Sequence, residues 1–344
     1  MKIREILTWK FLLYEGFLPL LRHLGPGRAD AVLSAIGRAS VLFWPPRRAR
    51  LASAMKLVYL NTGIKKEPTA LGVGVVRFLA RDYLLDTDND EALGRFDASG
   101  AAAFDEALGQ GRGVVLVGSH LGAHLAALHW LYRRGVPLRL MVQRPKHVTR
   151  ALSRFFDRDE PEPQADFFLR RTLNPSECVA RIMRARAALR AGKVVYLPGD
   201  IPWAGANSRA GHFLGRNHQM LSVWADLAAL TGAPVFHLFC THKPGGRFAL
   251  TLESAGRVTP GEEAEAVDYY LSRLEARIAA HPGDAVAHLL WPCYGAPQAL
   301  ATDQAKSRPS RRVAAFSCGK SRASKIPASL SRNDPRLRES LIST

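Results

Sequence analysis

His120 and His124 are the side chains of this sequence best placed to move a proton. They stand four apart in Ser119-His120-Leu121-Gly122-Ala123-His124, just after the run Val114–Val117. Such a short β-branched run reads as a buried strand. Gly118 and Ser119 break it, and the residues from Leu121 onward have helical character and spacing. His120 therefore falls where a buried strand meets a helix start, the edge of an α/β fold at which rigid elements present reacting groups to a crevice. An imidazole there suits general acid–base chemistry; the competing reading is a buried histidine that satisfies a loop carbonyl. His124 shares the face of His120 if the helix begins by His120. The H-x-x-x-H spacing can bind zinc, but the H-E-x-x-H form requires glutamate where Leu121 stands, so no metal is expected. A G-x-S-x-G nucleophile elbow fails because Val117 lies two before Ser119. Gly111, Gly113 and Gly118 do not fall together between strand and helix, so a dinucleotide loop is absent as well.

Helices and strands alternate around this stretch. Helices are expected over 101–108, 121–134, 175–191, 221–231 and 262–280, with strands over 114–117, 138–142, 194–197, 234–240 and 247–253. Residues 199–215 read as a long loop. The fold class is therefore α/β, a mixed and mainly parallel sheet flanked by helices. Before it, residues 1–95 form a helical region. Trp9, Leu12, Leu13, Phe17, Leu20 and Leu21 share one face, Pro19 forecasts a kink or early stop near Leu18, and helices follow over 29–43 and 75–85. The α/β domain spans 96–300, and 301–344 reads as a basic, disordered tail. Residues 305–344 hold ten Lys/Arg against Asp334 and Glu339.

The 344 residues carry a formal net charge of +18, which calls for an anionic partner. The tail suits anionic lipid; a specific nucleic-acid partner is not expected, because neither aromatic interleaving nor a reader motif accompanies the charge. Arg47, Arg48 and Arg50 follow Trp44-Pro45-Pro46 and can meet lipid phosphates or form a solvated basic corner. Cys178, Cys240, Cys293 and Cys318 are scattered, which fits a reducing compartment. No stretch approaches the roughly 18 apolar residues of a spanning helix. Residues 11–21 contain Glu15 and Pro19 and suit a helix lying on a membrane or one packed on the body.

The order of the remaining blocks carries a resemblance. Ser119-His120-Leu121-Gly122-Ala123-His124-Leu125 follows a strand, Leu169-Arg170-Arg171-Thr172 precedes a helix, and Val194-Val195-Tyr196-Leu197-Pro198-Gly199-Asp200 comes next. His212-Phe213-Leu214-Gly215-Arg216, a helix and Leu230-Thr231-Gly232-Ala233-Pro234 follow. This succession, with the 47–60 helix and the closing His281-Pro282 and Leu290-Trp291, resembles the lysophospholipid acyltransferase superfamily over roughly residues 5–295. Within it the chain is similar to the bacterial lipid A biosynthesis lauroyl/myristoyl acyltransferase branch. The resemblance implies transfer of a fatty acyl group from an acyl-carrier-protein or CoA thioester to a lipid hydroxyl. It also implies membrane lipids as partners, no cofactor, and a place on the cytoplasmic face of the bacterial inner membrane, peripheral or monotopic.

In that family's H-x4-D/E motif the histidine is the general base and the acid holds its tautomer. His120 matches the base, but the acidic position is Leu125. Three outcomes are open. Asp200 takes the carboxylate's role from a neighbouring strand end, His124 acts as base or partner, or acyl transfer is lost and lipid or acyl-chain binding remains. Arg170, Arg171 and Arg216 can hold substrate anions, since guanidinium forks suit phosphate, against the alternative of a solvated arginine for at least one of them; the resemblance matches its second-block arginine to Arg170 or Arg171. It assigns Phe213 and Gly215 to the wall of an acyl or phosphate site, against the alternative of a simple turn.

Overall fold

The computed structural model describes residues 16–63, 68–80, 90–143, 167, 175–203 and 207–295. Eight strands are present among them: β1 (Phe96–Ser99), β2 (Val114–Gly118), β3 (Leu138–Leu140), β4 (Val194–Pro198), β5 (Ser208–Phe213), β6 (Arg216–Leu221), β7 (Val235–Lys243) and β8 (Arg247–Gly256). Six form one sheet in the order β1-β8-β7-β2-β4-β3, in which only the β7–β8 pairing is antiparallel. The mixed, mainly parallel sheet read from the sequence is thus the observed one. β2 lies at its centre, with β4 and β3 on one side and β7 and β8 on the other. From β2 the chain runs to the edge strand β3, returns through β4 beside β2, and then crosses beyond β2 to β7 and β8.

β2 and β4 are buried on both faces, as helix-covered parallel strands must be. Val115, Val117, Val195 and Leu197 pack on one face against α7 (Pro175–Arg190), α8 (Val223–Thr231) and α9 (Glu263–Ala280). Val114, Leu116, Val194 and Tyr196 pack on the other against α5 (Ala101–Gly109) and α6 (His124–Arg133). The period-2 alternation of side chains divides one strand's residues between two cores.

Four helices precede the sheet: α1 (Leu18–Arg22), α2 (Pro26–Leu42), α3 (Pro45–Thr62) and α4 (Pro68–Ala80). Asp30 of α2 accepts both Nε and Nη2 of Arg77 on α4, at 2.8 and 2.9 Å, which fixes the crossing of these helices. Leu18 and Leu21 of α1 are buried with Ala29, Leu33 and Ala80, so the described part of the first amphipathic segment packs on the body. Pro19 occupies the first turn of α1, where its missing N–H costs nothing, and does not stop the helix at Leu18. Two short helices, α10 (Val286–Leu290) and α11 (Pro292–Gly295), close the described chain.

Three expectations need correction. Residues 208–213, within the expected 199–215 loop, pair with 216–221 as the antiparallel β5–β6 hairpin, Phe213 opposite Arg216. The exposed His212 and the half-buried, ion-paired Arg209 of its inward face hid the alternation. β1 was not foreseen; it is four residues long and its charged and small residues face outward. The helix after β2 begins at His124 and not near His120, because Gly122 at φ 53° is left-handed and residues 119–122 form a bent loop. The basic residues Arg144, Lys146, His147 and Arg150, the anion-site candidates Arg170 and Arg171, and the tail lie outside the described residues.

His237 on β7 is buried among Trp224, Phe239, Tyr269 and Tyr270, and neither ring nitrogen has a hydrogen-bond partner among the described residues. Burial pulls its pKa down to about 4. The unfolded chain, with histidine near 6.5, binds a proton in this window that the folded one refuses, so stability falls as pH drops from about 6.5 towards 4. His237→Phe is expected to remove this loss, about 3 kcal/mol over the window. Urea unfolding of wild type and variant at pH 7.5 and pH 4.5 checks it; an unchanged difference between the two pH values refutes it.

Candidate active site

The register of two neighbouring strands brings the key side chains together. β2 and β4 pair in parallel with Gly118 opposite Pro198, and the ladder extends one bond further, Gly199 N–H donating to the Gly118 carbonyl at 2.8 Å. Both chains leave the sheet at the same level, and two residues beyond the last pair stand His120 and Asp200. His120 Nδ1 lies 2.9 Å from Asp200 Oδ1, while the His120 backbone N–H donates to Oδ2 at 2.5 Å. A second imidazole closes the arrangement: His288 Nε2, from α10, lies 2.8 Å from Oδ2. Asp200 and His288 are buried, whereas 22% of the His120 side chain is exposed.

This geometry sets the protons. Burial alone pushes the Asp200 carboxyl up, but the charge and hydrogen bond of His120, followed by those of His288, outweigh it and hold the group well below the usual carboxylate range. An ionised carboxylate only accepts, so it assigns a proton to Nδ1 of His120, and in the neutral ring the lone pair is then at Nε2. The frame around the carboxylate is neutral. Tyr294 donates its hydroxyl to the Asp200 backbone carbonyl, and Tyr270 donates to the Gly118 carbonyl at 2.6 Å. Burial, reinforced by Asp200, raises the pKa of both phenols, so they remain donors.

The loop carrying His120 is clamped from below. Gly122 N–H donates to the Asp284 carbonyl and Ala123 N–H to the Cys240 carbonyl, each at 2.9 Å. A Cβ on Gly122 would stand 2.7 Å from the Cys240 oxygen, so glycine is required by closeness as well as by φ. Asp284 in turn holds His242, accepting its backbone N–H at 3.0 Å and meeting Nδ1 at 2.7 Å. This second histidine–aspartate pair repeats the geometry of the first and supports its loop.

The remaining candidates divide. His124 heads α6 with its ring 5.1 Å from that of His120 and 6.0 Å from Phe78, and the Trp291 ring lies 5.1 Å from His120 on another side. Asp200 and His124 therefore both belong to the surroundings of His120. Phe213 does not line an open site: it is buried against His288 and Tyr294, at ring distances of 5.8 and 5.9 Å. Gly215 is the turn of the β5–β6 hairpin, where Leu214 and Gly215 have φ of 50° and 75°. Phe213 thus packs behind His288, and Gly215 lies in a tight turn. Arg216 lines a groove of about 540 Å³ with Arg50, Lys56, Leu57, Leu60, Leu289 and Leu290. Leu290, at one edge of the groove, is followed in the chain by Trp291, the residue whose ring lies against His120.

His288, Tyr294, Trp291 and Asp284 were missed as site residues. The signal lay in 281–294, which reads as a polar turn and a short apolar helix; only its return to the ends of β2 and β4 gives it chemical meaning. Leu125, at the family's acidic position, is buried in the cluster that includes Phe104, Leu116 and Leu238.

A histidine at the crevice edge of a mainly parallel α/β sheet, backed by a buried carboxylate, is an arrangement suited to proton transfer. The family model for bacterial lipid A biosynthesis acyltransferase matches residues 1–286, and the chain belongs to that family. No curated protein matches it.

Restoring the family's acid at 125 is expected to fail. Leu125→Glu places a carboxylate in an apolar cluster with Asp200 already bound to His120, so it should cost about 3 kcal/mol or more and raise no activity. Chemical denaturation and acyl-transfer assays of the variant check this; a more active variant of wild-type stability contradicts it.

Proposed function

We propose that this protein is an active acyltransferase in which His120 is the general base and Asp200 its orienting carboxylate, with a thioester as acyl donor and a lipid hydroxyl as acceptor. In the proposed step Nε2 of His120 takes the hydroxyl proton as the oxygen attacks the thioester carbonyl carbon. The carbon–sulfur bond breaks, and the departing thiolate receives that proton from the imidazolium, giving an ester and a free thiol. Asp200 keeps Nδ1 protonated before the step and opposes the imidazolium charge during it. The observation that carries this reading is the pair of contacts from one buried carboxylate to the ring and the backbone N–H of His120.

The groove supports the substrate class. Its three cations, Arg50, Lys56 and Arg216, suit the phosphate of an anionic lipid or of a carrier-bound pantetheine, and its four leucines suit a hydrocarbon chain. Acyl carrier protein or CoA is the proposed donor carrier. The proposed location is the cytoplasmic face of the inner membrane; among the described residues no helix is long and apolar enough to cross a membrane. A non-catalytic lipid-binding homologue is the second reading, and Leu125 is the observation that favours it.

Purified wild type, His120→Ala and Asp200→Asn, assayed with labelled acyl thioesters and a panel of hydroxylated lipids, decide between the two. Asp200→Asn should lower kcat by about 10³ to 10⁴, and His120→Ala should abolish transfer above background. Because Asp200 is held ionised, it should set no limb of the wild-type pH–rate profile between pH 5 and 9, a window given by its depressed pKa. Wild-type turnover that survives His120→Ala, or a folded wild type without turnover on any pair, overturns the proposal.

A further inference from the structure

Between α2 and α3 the chain turns through Leu42, Phe43 and Trp44, and the three side chains stand out from the body. Phe43 is 85% exposed, Leu42 and Trp44 61% each. Soluble surfaces rarely place three such residues in succession, and contiguous apolar exposure marks a contact. The corner is rigid. Trp44 is held in an extended conformation (φ −127°, ψ 86°) before two prolines that begin α3, and its carbonyl accepts the Arg48 N–H at 3.1 Å. The side chains therefore cannot fold under without breaking the helix start. Eight of the twelve large apolar residues that are exposed among the described ones lie between residues 20 and 60, so this exposure is concentrated in one region.

Charge singles out what this corner meets. α3 carries Arg47, Arg48, Arg50 and Lys56 and no acidic residue. An aromatic pair with arginines one to two turns behind it is the arrangement that suits a bilayer interface, rings at headgroup depth and guanidinium groups on lipid phosphates. We propose that the Leu42-Phe43-Trp44 corner is a wedge that seats this protein on an anionic bilayer, with Arg47 and Arg48 paired to lipid headgroups. Lys56, Leu57 and Leu60 of the groove lie further along the same helix, so docking by the corner sets the groove beside the leaflet that supplies an amphiphilic substrate. The docking itself does not depend on acyl transfer.

The test uses the full chain, without thioester, on sedimented vesicles of phosphatidylcholine alone or with phosphatidylglycerol. Wild type should bind the anionic vesicles more tightly, and added salt should weaken that binding. Phe43→Ser/Trp44→Ser should lower the partition coefficient roughly tenfold or more. Arg47→Gln/Arg48→Gln should lower it by about tenfold or more on anionic vesicles only. Vesicles should shift tryptophan emission to shorter wavelength in wild type and much less in Trp44→Phe. All four side chains are away from the residues assigned to transfer, so turnover on detergent-dispersed substrate should be unchanged in both double variants. Wild-type partition retained by both double variants, an emission shift that persists in Trp44→Phe, or displacement from vesicles by stoichiometric nucleic acid would overturn the wedge. So would turnover in detergent that falls along with binding, because it would trace the loss to a damaged fold.

Discussion

One buried carboxylate holds this site together. Asp200 has no exposure, and an unpaired charge at such a position would cost several kcal/mol. It persists because three donors meet it: the His120 backbone N–H, the His120 ring and the His288 ring. The arrangement works in both directions. The donors keep the carboxylate ionised, and the ionised carboxylate fixes the tautomer and orientation of His120. His288 is fully enclosed and has no crevice to serve, so its contribution is to occupy the second oxygen and keep Asp200 from turning. Phe213 and Tyr294 pack against the His288 ring, which explains why a phenylalanine of the family's pattern is found in the core.

The position of Asp200 follows from sheet register. Parallel strands in register end at one level, and residues equally far beyond their ends are neighbours. Gly118 opposite Pro198 therefore dictates that His120 and Asp200 meet, whatever stands at residue 125. In the family's motif the acid lies five residues after the histidine on the same chain segment. Here Leu125 belongs to α6, which starts at His124 after a bent loop, and its side chain completes the apolar layer under β2. The loss of the local acid is thus compatible with an oriented imidazole, because orientation is supplied across the sheet and not along the helix.

The sequence was most informative where one segment settles its own structure. The run Val114–Val117, the glycine after it and the apolar stripe of 223–231 each specify a strand, a break or a helix locally, and the α/β class follows from their alternation. It was least informative where a residue's role depends on distant partners. Asp200 was legible as a candidate because it follows a strand as His120 does. His288 was not, because the meaning of a histidine in a five-residue helix comes from the return of that helix to the sheet. The β5–β6 hairpin was hidden for a different reason: its outward side carries His212, Asn217 and Gln219, and its inward side mixes the polar Arg209 and His218 with Phe213 and Met220.

The helical region and the sheet are also joined chemically. Phe78 of α4 touches both His124 and Trp291, and Trp291 lies against His120. The groove takes two of its cations from α3 and the third, Arg216, from the β5–β6 hairpin. Neither part alone builds the groove. The sheet and the segment that follows it bring His120 and the Trp291 ring together, while the helices back these rings with Phe78 and supply Arg50 and Lys56 to the groove. A displacement of α3 or α4 would therefore change the groove before it changed the setting of His120, because the three contacts to Asp200 come from the loop after β2 and from α10.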